Sequence, residues 1–220
     1  MCGRYTLTQS IATLARHFRA QAEGLVHSPR HNIAPTQTLP VVMMDPSGRV
    51  LRGMRWGLVP SWAKEFPSGP GLINARAETV AEKPSFRASF KKRRCLVPAD
   101  GFYEWKTGSD GKTPYLIRQP SGGLFAFAGL WSEWKQSGEP LRTYTIVTTE
   151  AHGALQPLHD RMPVLLAPEE YDSWLAPTTE PDKLRSLMAP PEATRLEWFA
   201  VSRLVNSPHN DGPECLIPAE

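Results

Sequence analysis

The sequence predicts an α+β domain with a curved, mostly antiparallel β core, barrel-like in outline, and a few short helices on its flanks. Three observations carry that expectation. Short runs rich in β-branched and aromatic residues recur along the chain, separated by turn signals. The 22 prolines are spread through the whole length, which leaves little room for long helices. Only three stretches combine helical spacing with a start signal.

The first of these follows Ser10, a capping residue, where Ile11, Leu14, Ala15 and Phe18 fall at i, i+3, i+4 and i+7. Strand-like runs come next: "LPVVMM", the turn "DPSG", then "RVLRGMRWGLV". Further along stand "RRCLVPADGFYEW", "PYLIR", "LFAFAGLW", "RTYTIVTT" and "LEWFAVS". The turns "GSDGK" and "SGG" separate three of them at hairpin-like spacing. The remaining helices are expected in "APEEYDSWL" and "PDKLRSLM", each with a proline at its start.

At 220 residues the chain can bury a sizeable core, and residues 1–220 read as one domain without repeats, low-complexity tracts or linkers. Hydrophobic residues at 40% and charged residues at 21% suit a folded protein. No apolar run approaches the roughly 18 residues of a membrane span, and no signal peptide is apparent, so a cytoplasmic location is expected, or a nuclear one in a eukaryote. The cysteines, Cys2, Cys95 and Cys215, are too far apart for a CxxC pair, so neither zinc nor a disulfide framework is indicated. P-loop, GxSxG, HExxH and Rossmann signatures are absent, and no cofactor or metal is expected. A net charge of +3 does not by itself identify a nucleic-acid partner. The basic run from Lys91 to Arg94 reads equally as a solvated strand end or a phosphate contact.

The opening "MCGRY" places a cysteine directly behind the initiator. Removal of Met1 would leave Cys2 with a free α-amine and a thiol on neighbouring carbons, a pair that condenses with aldehydes. Four further segments put polar residues where burial is expected. In "LINARAET", Leu72 and Ile73 look like core, while Asn74 and Arg76 share one face at period two; a polar strand end would look the same. In "PADGFYEWK", Glu104 lies between Tyr103 and Trp105; enclosed, it would be a proton-transfer group, and open, ordinary surface. In "LHDRMPVLL", His159, Asp160 and Arg161 form a triplet that suits either proton transfer or a satisfied structural histidine. In "RWGLVPSWAK", Trp56 reads as core, whereas Trp62 follows Pro60 in a loop near Lys64, either a base-stacking residue or a ring folded onto its own domain.

Together with "NIAPTQ" and the closing "VSRLVNSPHNDGPECLIP", these motifs resemble, in order and over nearly the whole chain, the SOS response-associated peptidase family of abasic-site processing proteins. The resemblance implies that family's fold and single-stranded DNA containing abasic sites as partner; a monomer without membrane association is also expected. It implies Cys2 as nucleophile once Met1 is lost, and Asn74, Glu104 and His159 as active-site residues. Arg4, Trp62, Arg76 and Thr148 match positions associated with DNA, and Arg161 and Arg203 are further candidates for backbone contact. Where some members carry two adjacent loop aromatics, this chain has Trp62 followed by Ala63.

The chemistry so implied is capture of the open-chain sugar aldehyde. His159 would assist ring opening, and the Cys2 amine would form a Schiff base with lyase-like character. An α-amine near pKa 7.7–8.0 is roughly several-hundred-fold richer in its neutral form at pH 7 than a lysine. The thiol would then close a thiazolidine, favoured because both nucleophiles sit on one residue. Glu104 would relay protons and Asn74 would hold the amine or the sugar. Two other readings stay open: an N-terminal-cysteine thiol hydrolase or autopeptidase that removes Met1 itself, and a non-enzymatic single-strand binder.

Overall fold

The computed structural model describes residues 2–22, 24–109, 111–135, 138–190 and 196–219. Its strands are β1 (Tyr5–Leu7), β2 (Arg30–Ile33), β3 (Thr38–Asp45), β4 (Gly48–Trp56), β5 (Asn74–Arg76), β6 (Arg94–Ala99), β7 (Gly101–Gly108), β8 (Gly111–Arg118), β9 (Phe125–Trp134), β10 (Leu141–Glu150), β11 (Arg161–Pro163), β12 (Leu165–Leu166) and β13 (Glu197–Ala200). The helices are α1 (Ile11–Phe18), α2 (Arg87–Lys92), α3 (Tyr171–Leu175) and α4 (Pro181–Leu187). The α+β architecture expected from the pattern is the one observed.

One sheet runs β11-β10-β4-β3-β6-β9-β12, and β10 also pairs with β9, so β10, β4, β3, β6 and β9 close into a ring. Closure removes two strand edges and fixes the interior. Pairing is antiparallel except where β10 runs parallel to β4 and β5. A second sheet, β13-β8-β7-β1-β2, is antiparallel throughout. "RRCLVPADGFYEW" thus supplies two strands, β6 in one sheet and β7 in the other, with the change at Asp100.

Aromatic residues from both sheets fill the core. Tyr5 of β1 meets Trp56 edge-on at 5.2 Å and Phe127 at 5.8 Å, and Trp56 stacks on Tyr144 at 6.3 Å. The buried hydroxyls of Tyr5 and Tyr144 satisfy one another at 2.7 Å. The Trp56 indole donates to the carbonyl of Ile73 at 3.0 Å, which ties β4 to the segment entering β5.

Helix α1 forms as expected: the Ser10 hydroxyl caps the Thr13 N–H, and Leu14 and Phe18 are buried. The "APEEYDSWL" helix is a short 3₁₀ turn, Pro168–Glu170, running into α3, and "PDKLRSLM" is α4. Helix α2 is an addition to the sequence reading. The Lys91–Arg94 run straddles its end, and Arg94 is buried, donating to the carbonyls of Trp174 at 2.6 Å and of Phe90 and Ala176. That arginine is a structural cation. Leu72 and Ile73, expected in the core, are half-buried and packed against it. The "GSDGK" turn joins β7 to β8, although its Asp110 lies outside the described residues. No helix among the described residues is long and apolar enough to cross a membrane.

Candidate active site and nucleic-acid interface

Strand β10 is the organiser of the site. Its C-terminal half pairs on one side with β5, placing Ile146 opposite Asn74 and Thr148 opposite Arg76. On the other side it pairs with β11, placing Glu150 opposite Arg161. Three-residue strands hold no geometry alone; here a single long neighbour fixes both. The Asn74 amide is buried, and among the described residues neither its oxygen nor its nitrogen has a hydrogen-bond partner. Such groups are rare, because each costs about 1–3 kcal/mol when left unmade.

Strand β7 delivers Glu104, with Tyr115 of β8 as its cross-strand partner. Glu104 is only 5% exposed. Burial raises its carboxyl above the usual carboxylate range, and the nearby His159 opposes that rise. Both residues line a cavity of about 460 Å³ together with Arg4, Trp105, Lys112 and Asn206. A desolvated carboxyl that holds its proton more tightly than usual, lining one cavity with an imidazole, suits proton transfer.

Cys2 precedes β1 and is fully enclosed. Its thiol points toward the Arg4 carbonyl, 4.0 Å away. Burial pushes the thiol well above its ordinary value, and the Glu104 charge adds to the effect. Register explains the neighbourhood: β1 lies beside β7, with Tyr5 opposite Phe102 and the Tyr103 N–H donating to the Arg4 carbonyl at 3.0 Å.

Arg4 is held by protein as well as facing the cavity. Its guanidinium donates to Asn32 Oδ1 at 2.9 Å, to the Val205 carbonyl at 2.8 Å and to the Asn206 carbonyl at 3.3 Å. It thereby anchors the 3₁₀ turn Arg203–Asn206, whose first residue, Arg203, is exposed. The same turn sets the cavity wall, since Asn206 Oδ1 accepts from the Trp105 indole at 2.7 Å.

His159 Nδ1 lies 2.9 Å from the Arg161 backbone N–H and 2.7 Å from Asp160 Oδ1. One nitrogen cannot serve both: unprotonated it accepts from Arg161, protonated it donates to Asp160. The backbone contact is the fixed one, since the Asp160 side chain is almost fully exposed. Neutral His159 in that contact carries its proton on Nε2. The triplet is a ridge between two cavities, because Asp160 and Arg161 line a second one, about 510 Å³, with Arg76, Glu150, Ala151 and Gln156.

Arg161 is largely buried and pairs with Glu78 through two bonds, NH1 to Oε1 at 2.6 Å and NH2 to Oε2 at 3.0 Å. The guanidinium holds the Glu78 carboxyl below its usual range. NH2 also donates to the Thr148 carbonyl at 2.6 Å. Thr148 differs from the expectation of a DNA contact: it is 1% exposed, and it supports Arg161 from behind instead of facing solvent. Arg76, in contrast, is exposed at the end of β5.

Trp62 is 63% exposed, at the tip of a loop closed by a two-way backbone pairing between Leu58 and Leu72. The closure is tight enough to require glycine: Gly57 has φ +116°, and a side chain there would collide with the Pro70 carbonyl. Trp134 pins the loop by donating to the Ala63 carbonyl at 2.8 Å, and Arg55 lies 4.9 Å over the ring of Phe66, which in turn touches Trp134. Phe66, Glu78, Trp105, Lys112 and Asn206 were not singled out in the sequence; only Trp105, beside Glu104, stood next to a residue that was.

The model of the SOS response-associated peptidase family matches residues 1–208. The abasic site processing protein YoqW of Bacillus subtilis is 46% identical over 223 residues, covering 98% of this chain and 99% of its own. The chicken (Gallus gallus) abasic site processing protein HMCES is 36% identical over 268 residues, covering 100% of this chain and 78% of its own. Among solved structures, a protein from Bacteroides thetaiotaomicron superposes with a TM-score of 0.89 at 24% identity over the whole of both chains, a likeness of fold. A phage-related protein from Bordetella bronchiseptica gives 0.72 at 30% identity, over 91% of this chain and 94% of its own.

Proposed function

The chain belongs to the SOS response-associated peptidase family, and from that premise we propose that it processes abasic sites in single-stranded DNA by linking Cys2 covalently to the sugar. The observation that carries this reading is the desolvated Glu104, which faces His159 across one cavity while its charge acts on the Cys2 thiol. The relatives' printed names, abasic site processing protein, support the substrate.

Loss of Met1 frees the α-amine. His159 moves a proton as the deoxyribose hemiacetal opens, and the neutral amine attacks C1′ of the aldehyde. Glu104, protonated because burial favours that form, donates its proton to the departing hydroxyl, which leaves as water. The resulting Glu104 carboxylate then takes the thiol proton as sulfur adds to the imine carbon and closes a thiazolidine. Proton and charge balance within the pair, and a free thiolate, which burial disfavours, is never required. Asn74, with a buried amide that no group among the described residues satisfies, would hydrogen-bond the amine or sugar oxygens. Arg76 and Arg161 would take flanking phosphates, and Trp62 would stack on a base.

The test is incubation of Met1-free protein with a single strand bearing an abasic site made by uracil removal, followed by a denaturing gel. A shifted band that survives denaturation and is absent with Cys2→Ala is expected. No band from the parent overturns the reading, and turnover of a peptide without DNA would favour the thiol-hydrolase alternative.

A further inference from the structure

Glu78 occupies the end of the Arg161 guanidinium in the geometry with which arginine takes a phosphate, two parallel N–H···O bonds to one anion. A further donor is spent on the Thr148 carbonyl, and Nε is buried without a partner among the described residues. Arg161 as held therefore has no second paired set of donors for a strand. Glu78, however, is about half exposed, while Arg161 is nearly enclosed, so the carboxylate is the partner free to move.

It also has somewhere to go. Beyond Glu78 lies a third cavity, about 450 Å³, floored by Phe90 and Met188 and bordered by Glu82, Glu150 and Arg185. Arg185 is mostly exposed, and its ion pair among the described residues is an exposed one with Asp182, so it can receive a displaced carboxylate, while Glu82 and Glu150 limit how long it stays.

We propose that Glu78 is a built-in phosphate substitute that the DNA backbone displaces from Arg161, so that this one carboxylate sets the strength and salt dependence of strand binding. The proposal rests on the reading that a single strand runs past Arg76 and Arg161. Until exchange occurs, the pair carries no net charge and adds little to attraction. During exchange the strand gains a bidentate contact and loses one repulsive neighbour.

The experiment is titration of a fluorescent intact single strand, without abasic sites, against the parent and Glu78→Gln, Glu78→Asp, Arg161→Gln and Glu78→Gln/Arg161→Gln at several salt concentrations. Glu78→Gln should bind roughly 3- to 10-fold tighter at low salt, with the slope of log K against log salt steeper by about 0.7, the value for one phosphate on a single strand. Glu78→Asp, one methylene too short for the fork, should move the same way by less, which keeps the test alive if Glu78→Gln folds poorly by thermal melting. The double variant should lose the gain. Unchanged or weaker binding by well-folded Glu78→Gln and Glu78→Asp would overturn the proposal and make Glu78 a support for Arg161. Failure of the parent itself to bind the strand would sink the DNA reading together with it, a result distinct from parent binding that Glu78 does not modulate.

Discussion

The buried Cys2 thiol lies close enough to Glu104 for the carboxylate charge to act on it, adding to the burial that already makes the thiolate hard to reach. The thiol is therefore a poor free nucleophile, in contrast to exposed catalytic cysteines with depressed pKa values. At pH 7.5 the parent should resist N-ethylmaleimide at Cys2, as followed by intact mass, because burial keeps the thiol protonated and shielded; Glu104→Gln should react faster than the parent only at pH values where Glu104 is ionised, since only there does it remove a negative neighbour. Cys2→Ser should give an adduct that forms but hydrolyses within the assay, since a hydroxyl is the weaker ring-closing partner.

Glu104→Gln should slow covalent capture by roughly a hundred- to ten-thousandfold, the usual contribution of a positioned acid–base group. It should also melt higher than the parent near neutrality, and the sign follows from burial. The folded carboxyl is raised, so the fold favours its protonated form; that stabilisation is complete below the ordinary carboxylate value of about 4.3 and is lost as pH rises through the folded value. Glutamine has nothing to lose. The difference in melting temperature should grow as pH rises above the ordinary carboxylate value and vanish below about pH 4; a parent that melts higher throughout would contradict the desolvation argument.

Asn74 offers a similar trade of stability for function. Leucine has nearly the same shape and no polar atoms to satisfy, so Asn74→Leu should stabilise the fold by about 1 kcal/mol, roughly 2–4 °C in melting temperature for a chain of this size. Covalent capture should fall in the same protein. Calorimetry and the denaturing gel on one preparation check both halves.

Long elements were legible because their pattern is local. β3, β4, β9 and β10 each carry eight or more residues of strand-forming sequence, and α1 has its cap and its apolar stripe within nine positions. Helix α2 was not: its cap position is Phe86 without a side-chain bond, and of its residues only Ser89 and Phe90 are buried. β5 and β11 are too short for any period and exist through β10. In the site, residue types were legible and environments were not. Whether Glu104 is surface or pocket depends on a turn about a hundred residues away, and Glu78 acquires its meaning from Arg161, 83 residues on.

Trp62 is the residue whose role can be separated most cleanly from the fold. Its ring is mostly in water, so Trp62→Ala should leave the melting temperature within the small range of surface substitutions, about 0.5 kcal/mol. If a base stacks on it, the same change should weaken binding to an intact single strand by about 1–3 kcal/mol, roughly 5- to 150-fold, whatever the sequence of the strand. Trp62→Phe should keep most of the affinity, because a base needs a flat face more than an indole N–H. Trp134→Phe makes the complementary test: it removes the bond to the Ala63 carbonyl that pins the loop while leaving Trp62 itself in place. Binding should fall by less than in Trp62→Ala, and the loss should be smaller still when the two changes are combined than their sum, since a loosened loop has no ring left to misplace. Equal binding by parent and Trp62→Ala under low salt would mean that the strand passes this loop without touching it.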